Sequence, residues 1–490
     1  MLSAEEIMGN NDIGLIGLAV MGQNLVLNMN DHGYQVAVYN RTAARTEEFL
    51  SGPAKGREIE GAFTLEEFIA LLKKPRLAML LVKAGDPVDQ TIENLLPLLE
   101  KGDVVIDAGN SFFRDTIRRY YYLKEKGIHY LGTGVSGGEL GARFGPSITP
   151  GGAEEAWPLV KDILQGISAN VDGDVPCCEW MGPDGAGHYV KMVHNGIEYG
   201  FLQLIAETYH MLKDVAGFSY DEMSSVFARW SKGKLSSYLI EVARDTLAFK
   251  DTDGKPMVSK ILDAAGQKGT GRWTSESALE LGIPLTLVTE AVFARLLSGL
   301  KEERVNASKV IPEPEFEFTD DRNALVDDLE NALYLTEIIS YAQGFMLFHK
   351  AGKEFGWQLD YCTIANIWRN GCIIRSALLT HIRDAFKRNL KLENLLLDPF
   401  FRERTHETIG SLRRVVSLAV QAGIPVPAYS SALSFFDGYR SAMLPANLTQ
   451  AQRDYFGSHT YERVDAPRGE FFHTDWTGEG GDVTATSYNA

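Results

Sequence analysis

From its start to about Gly185 the chain alternates short apolar runs with amphipathic stretches, and there the alternation stops. The runs Ile13–Ile16, Gln35–Tyr39, Leu77–Leu81, Val104–Asp107 and Ile128–Leu131 have the length of buried strands. Helical patterns such as Gly22–Asp31, Leu65–Leu72 and Pro87–Glu100 fall between them. Strands separated by crossover helices pack as a parallel, doubly wound sheet. Beyond Gly185 long helical patterns take over, among them His188–Val215, Ala324–Lys353 and Phe400–Ala422. From about Met443 the chain turns polar and irregular, with too few apolar residues for a core of its own. Such a tail is either disordered or docked on another surface. The expected organisation is an α/β domain over 1–184, an all-helical domain over 185–442 and a tail over 443–490.

The first strand runs into Gly17-Leu18-Ala19-Val20-Met21-Gly22 and then a helix. This is the G-x-G-x-x-G dinucleotide pattern with Ala in its second slot, which predicts a Rossmann-type domain. Gly17 permits the tight turn, Ala19 lets backbone approach a pyrophosphate, and Gly22 lets the helix pack close to the strand. The helix N-terminus offers free N–H groups to phosphate. The alternative is a glycine-rich turn without a ligand. An acid about 20 residues on would select NAD, but the second strand ends in Tyr39-Asn40-Arg41-Thr42. Asn40 and Thr42 can hydrogen-bond a 2′-phosphate and Arg41 can pair with it, which favours NADP. Lys83, after the next predicted strand, lies at the same cofactor edge.

The 48 Lys+Arg against 65 Asp+Glu leave a net charge of −17, which argues against a nucleic-acid or anionic-membrane binder. Small anions remain open if a few cations are placed for them. No run of 18 or more apolar residues predicts a membrane span, and Met1–Glu6 lacks the basic start of a signal peptide. Cys177, Cys178, Cys362 and Cys372 have neither disulfide-framework nor zinc spacing. They read as reduced core cysteines of a cytoplasmic protein, and no metal is expected.

The segment His188–Tyr199 holds the densest set of candidate chemical groups. Lys191, His194, Asn195 and Glu198 fall at i, i+3, i+4 and i+7 and share one helix face, which Tyr199 extends. A solvated face with a Lys–Glu pair is the ordinary meaning of such spacing. Against it stand the mixture of residue types and the position just after the dinucleotide domain. A lysine of depressed pKa can serve as general base, with a nearby carboxyl as acid. Two loops at the carboxyl edge of the sheet, Asp107–Ser111 and Gly134–Gly138, would complete the pocket. Ser136 with the N–H groups of Gly137 and Gly138 suits a carboxylate.

Together these segments resemble the 6-phosphogluconate dehydrogenase family across essentially the whole chain. The motifs are Gly-Leu-Ala-Val-Met-Gly-Gln-Asn at 17–24, Asn-Arg-Thr at 40–42 and Gly-Val-Ser-Gly-Gly-Glu at 134–139. They continue with Lys-Met-Val-His-Asn-Gly-Ile-Glu-Tyr-Gly at 191–200, Gln-Lys-Gly-Thr-Gly at 267–271 and Gln-Arg-Asp-Tyr-Phe-Gly-Ser-His-Thr-Tyr-Glu at 452–462. The resemblance implies Lys191 as base and Glu198 as acid. It implies Asn110, Ser136, Gly137, Gly138, His194 and Asn195 around the sugar acid, and Tyr199, Lys268, Thr270 and Arg295 around its phosphate. Arg453 and His459 would arrive from the partner subunit of a homodimer. For the cofactor NADP it implies Gly17, Ala19, Val20, Met21, Gly22, Asn40, Arg41, Thr42, Val82, Lys83, Ala84 and Asn110. Ala108, Thr149, Phe201 and Asn370 depart from the usual pattern, and Phe201, close to Tyr199, bears on the pocket wall.

The implied reaction is oxidative decarboxylation of 6-phosphogluconate to ribulose 5-phosphate and CO2, in the pentose phosphate pathway. Two rivals remain at this point. A non-decarboxylating β-hydroxyacid dehydrogenase shares the glycine fingerprint and the Lys-x-x-x-Asn pattern, but leaves the phosphate set unexplained. An NADP-binding sensor without turnover has no need of Lys191 and Glu198.

Overall fold

The computed structural model describes residues 9–480, 484 and 485. The Met1–Glu6 run, and residues 481–483 and 486–490 of the tail, lie outside the described residues. The chain forms two compact units, Met1–Ala432 and Leu433–Ala490.

The first unit opens with a seven-stranded sheet of order β3-β2-β1-β4-β5-β6-β7. Its strands are β1 (Ile13–Ile16), β2 (Val36–Tyr39), β3 (Ile59–Ala62), β4 (Leu77–Leu80), β5 (Val104–Asp107), β6 (His129–Val135) and β7 (Ile148–Gly152). The run from β3 to β6 is parallel, and β7 pairs antiparallel with β6. Two strands of this sheet lie outside the apolar runs of the sequence. β3, Ile-Glu-Gly-Ala, is an edge strand with a half-exposed middle. β7, Ile-Thr-Pro-Gly-Gly, carries Pro150 and two glycines, which only an edge tolerates. The reversal of strand order between β1 and β4 puts a crevice at the carboxyl ends of those strands, where such sheets bind ligands. Two apolar clusters cover the faces, one around Leu25, Val38, Met79 and Ile106, the other around Phe68, Leu80, Ile92 and Tyr130.

From Ala186 the first unit is helical, and its central element is Ala186–His210, hereafter the seam helix. It packs on β6 and β7, on Thr270–Glu280, on Thr286–Gly299 and on the long helix Arg322–Phe355. A short π-helix, Met211–Val215, continues it, matching the expected stretch to Val215. Cys177, Cys178 and Cys372 are buried, whereas Cys362 is half-exposed and not a core residue; all four are free thiols.

The second unit holds the helix Ala446–Gly457 and a two-stranded antiparallel pairing of Tyr461–Glu462 with Phe471–Phe472. Its organising residue is a carboxylate rather than an apolar cluster. Asp454, fully buried, accepts from Thr460 N (2.9 Å), Thr474 N (3.0 Å), Trp476 Nε1 (2.9 Å) and His473 Nδ1 (2.9 Å). Burial alone would push this carboxyl up, but the four donors outweigh it and hold it below the usual carboxylate range. Among the described residues no helix is long and apolar enough to cross a membrane.

Candidate active site

The β1 turn needs the absence of side chains. Gly17 has φ of +110°, and a Cβ there would lie 2.5 Å from Leu81 O. A Cβ at Gly22 would lie 2.0 Å from Gly17 O, so the helix Val20–Asp31 sits directly on the turn. That helix begins after Ala19 with no side-chain cap and no acid in its first turn. Its N–H groups and positive dipole end therefore face the crevice without competition. Val20 is exposed, while Met21 packs on the sheet core. Leu18 N donates to Asn40 Oδ1 (3.1 Å) and Asn40 Nδ2 to Thr42 O (3.1 Å), so Asn40 also braces the turn.

A cavity of about 490 Å³ opens between β1, β2 and β4, lined by Gly17, Ala19, Asn40, Arg41, Thr42, Val82 and Lys83. Ala84 lies half-buried in the loop that follows. Four more polar residues line it that the sequence motifs do not mark: Arg45, Gln90, Thr91 and Asn94. Arg45 stands four residues after Arg41 within Ala43–Ser51, and helical spacing of a second cation was the signal available. Both guanidinium groups are exposed. A glycine cradle that a Cβ would fill, an open helix N-terminus and three cations, Arg41, Arg45 and Lys83, fit a phosphorylated dinucleotide.

At the end of β5, Asp107 accepts from Gly109 N (3.1 Å), Ser111 Oγ (2.6 Å) and Tyr130 OH (3.0 Å). The loop is thereby fixed with Asn110 exposed. At the end of β6, Ser136 is buried, and Gly137 and Gly138 adopt φ of +93° and +62°. A Cβ on Gly137 would lie 2.6 Å from Gly371 O, so this loop is pressed against the helical part of the first unit.

The seam helix is buried nearly all round, which removes the solvated-face reading. Lys191 is 7% exposed, and its Nζ donates to Ser136 Oγ at 2.7 Å. Burial lowers the Lys191 pKa, against the pull of Glu198. Burial likewise raises Glu198, against Lys191, Arg295 and Lys268. The pair thus tends toward a neutral amine and a protonated acid, the states a base and an acid need. His194 is fully buried and held well below its ordinary pKa by desolvation and then by Lys191. Its Nδ1 lies 3.0 Å from Asn195 Oδ1, while Nε2 has no partner among the described residues. Room for this arrangement comes from glycines. A Cβ on Gly134 would lie 2.4 Å from Lys191 Cβ, and one on Gly196 would lie 2.7 Å from Thr274 Cγ2.

The implied phosphate set gathers at the same end of the seam. The Arg295 guanidinium lies 3.5 Å from the Tyr199 ring centre and donates to Gly266 O. Thr270 opens the helix Thr270–Glu280 behind Gly269, whose φ is +100°. Lys268 is exposed just before it. Arg453 and His459 belong to the second unit, where Arg453 donates to Gln450 Oε1 (3.0 Å) and the His459 ring stands edge-on to Phe456.

Three of the four departures from pattern, Ala108, Thr149 and Phe201, are buried, and Asn370 is exposed. Thr149 Oγ1 donates to Gly187 O (3.1 Å). Phe201 stands edge-on to Tyr341 in the helical core, and Asn370 donates to Asn170 O (3.1 Å). Among the described residues no group of three His, Cys, Asp or Glu can hold a metal ion.

Residues 12–182 match the family described as the NAD binding domain of 6-phosphogluconate dehydrogenase. Residues 187–476 match the 6-phosphogluconate dehydrogenase C-terminal domain. The chain is 58% identical to the decarboxylating 6-phosphogluconate dehydrogenase of Homo sapiens, covering 99% of this chain and 100% of that protein. It is 56% identical to that of Haemophilus ducreyi, covering 98% and 99% respectively. The Plasmodium falciparum 6-phosphogluconate dehydrogenase, solved in its apo form and with NADP+ or 6-phosphogluconate, superposes with a TM-score of 0.91. It shares 47% identity, with 95% of this chain and 100% of that one covered.

Proposed function

The chain belongs to the 6-phosphogluconate dehydrogenase family, and from that premise we infer how its residues divide the work of an NADP-dependent oxidative decarboxylation. It converts 6-phosphogluconate to ribulose 5-phosphate and CO2. The single observation that supports the division of labour is the buried Lys191–Ser136 contact on the same helix face as a protonation-prone Glu198.

Gly17, Ala19, Val20, Met21 and Gly22 hold the cofactor's pyrophosphate, and Asn40, Arg41, Thr42 and Arg45 grip its 2′-phosphate. Val82, Lys83, Ala84 and Asn110 close over the other half. NADP, when bound, accepts hydride from C3 of the substrate. Lys191, its pKa lowered by burial, takes the proton of the 3-hydroxyl through Nζ when in its neutral form, and Ser136 fixes where that amine sits. The protonated Lys191 then polarises the new C3 carbonyl, so that the β-keto acid loses CO2. Glu198 delivers the proton to C1 of the resulting enediol. Ser136, Gly137, Gly138, His194, Asn195 and Asn110 orient the carboxylate and hydroxyls. Tyr199, Lys268, Thr270 and Arg295 bind the 6-phosphate.

The protein works as a homodimer in which Arg453 and His459 of each chain serve the site of the other. Support comes from exposed apolar residues, with Phe293, Leu296, Leu297 and Leu300 together in the first unit and Leu448, Tyr455 and Phe456 in the second. Surfaces of that kind mark association. The cytoplasm, and the pentose phosphate pathway within it, are the proposed setting, in keeping with four free thiols.

Incubation with NADP and 6-phosphogluconate, following NADPH absorbance together with CO2, tests the reaction. NADPH without CO2 would restore the non-decarboxylating reading, and neither product would leave a sensor. Arg453→Ala should weaken 6-phosphogluconate binding about tenfold or more. Unchanged affinity would reject the shared site.

A further inference from the structure

Behind the two loops assigned to the cofactor lies a cation that no step of the reaction uses. Arg119, on the helix Phe113–Glu125, is 1% exposed. Its guanidinium reaches both loops at once. Nε donates to Asp89 Oδ1 (2.8 Å) and Nη2 to Asp89 Oδ2 (2.9 Å). Nη2 also donates to Gly85 O (3.0 Å). Gly85, with φ of +89°, ends the Val82–Gly85 loop and caps the helix Asp86–Leu95 that carries Asp89. On its other side, Nη1 reaches Ser111 Oγ at 3.5 Å and Asp107 Oδ2 at 3.6 Å. Asp107 and Ser111 are the two ends of the loop that presents Asn110.

Burying a guanidinium is costly unless all its donors find partners. Here Gly85, Asp107 and Ser111 belong to two loops at the carboxyl ends of neighbouring strands, and Asp89 stands on the helix that Gly85 caps. A planar fork with donors on both sides can hold two loops at a set distance, which the point charge of a lysine cannot do.

We propose that Arg119 is a positioning residue that clamps the Val82–Gly85 and Asp107–Ser111 loops at the separation NADP requires. It touches neither cofactor nor substrate and acts through Gly85, Asp89, Asp107 and Ser111. The proposal rests on the reading that these loops hold the cofactor. Neighbouring Arg118 provides the internal control: it also bonds Asp89 (3.0 Å) but is exposed and reaches neither loop.

The test compares Arg119→Met, Arg119→Lys, Asp89→Asn and Arg118→Ala in the full-length protein, each checked for folding by circular dichroism and thermal melting. NADP affinity is measured by calorimetry, and kcat and KM by NADPH formation. Both Arg119 variants should raise the NADP Kd about tenfold or more and lower kcat, with KM for 6-phosphogluconate moving less. Asp89→Asn should produce a smaller rise, and Arg118→Ala none. A lowered melting temperature with unchanged NADP Kd in Arg119→Lys and Asp89→Asn would overturn the clamp. Those two variants decide the matter if Arg119→Met does not fold. A wild-type protein that binds NADP but forms no product would instead refute the assigned reaction, leaving the affinity comparison intact.

Discussion

The cofactor pocket and the seam helix handle charge in opposite ways. Around the dinucleotide crevice the cations, Arg41, Arg45 and Lys83, are exposed, and an open helix end adds backbone N–H donors. An exposed guanidinium stays hydrated and charged until a phosphate displaces its water. Along the seam Lys191 and His194 are packed into the interior and Glu198 is half-buried, and desolvation is the first cause of all three shifts. Binding an anion needs charge that is already present, whereas moving protons needs groups poised to lose or gain it. The same chain therefore leaves its binding charges in water and takes its titrating ones out of it.

The sharpest way to break this contrast is Lys191→Met. Turnover should fall by about 10³-fold or more, while calorimetric NADP affinity stays at the wild-type value. A large loss of NADP affinity would mean that the two regions are not separable. Glu198→Gln should slow turnover by about 10²-fold, through delayed ketose formation, which trapping of the released ribulose 5-phosphate would register. Unchanged ketose release would remove Glu198 from the proton path.

The pH dependence sharpens the same comparison. Turnover needs neutral Lys191, so it should rise as pH climbs through that group's lowered pKa. It needs protonated Glu198, so it should fall as pH passes that group's raised pKa. A bell-shaped profile is expected for kcat, with the alkaline limb lost in Glu198→Gln. NADP affinity should stay flat from about pH 7 to 9, because guanidinium groups do not titrate there. The smallest expected effect is at Arg45. Arg45→Ala should raise KM for NADP several-fold, and Arg41→Ala about tenfold or more. Equal use of NAD and NADP by the double variant would place both cations on the 2′-phosphate.

How much of this was visible beforehand follows the same division. The crevice is built from contiguous residues, so Gly17–Gly22 and Asn40–Thr42 stood out in the sequence, and β1 and β5 fell where the apolar runs placed them. The edge strands β3 and β7 escaped because a half-exposed run and a Pro- and Gly-containing one carry no strand pattern of their own; their neighbours impose it. Seam spacing placed Lys191 and Glu198 on one face, but their burial depends on helices more than 70 positions away in sequence, such as Thr270–Glu280 and Arg322–Phe355. Arg119 was invisible for a related reason. Its partners Asp89 and Gly85 lie 30 and 34 residues away, and nothing local marks a buried arginine among its basic neighbours. In the tail, low apolar content gives no sign of the buried Asp454 hub, because its donors Thr460, His473, Thr474 and Trp476 are spread along the chain.

The glycines packed against the reacting helix also constrain how this protein can change over generations. At Gly134 and Gly196 a single methyl would meet Lys191 or Thr274 well inside contact distance. At Gly271 it would lie 2.5 Å from the Tyr199 ring. None of these positions does chemistry, yet each is closed to one-step variation by volume alone. Altered substrate preference would have to arise at the exposed rim, near Asn110 or Lys268, or through paired changes that shrink one side of a contact as the other grows. Libraries that randomise the seam one position at a time should return mostly inactive clones.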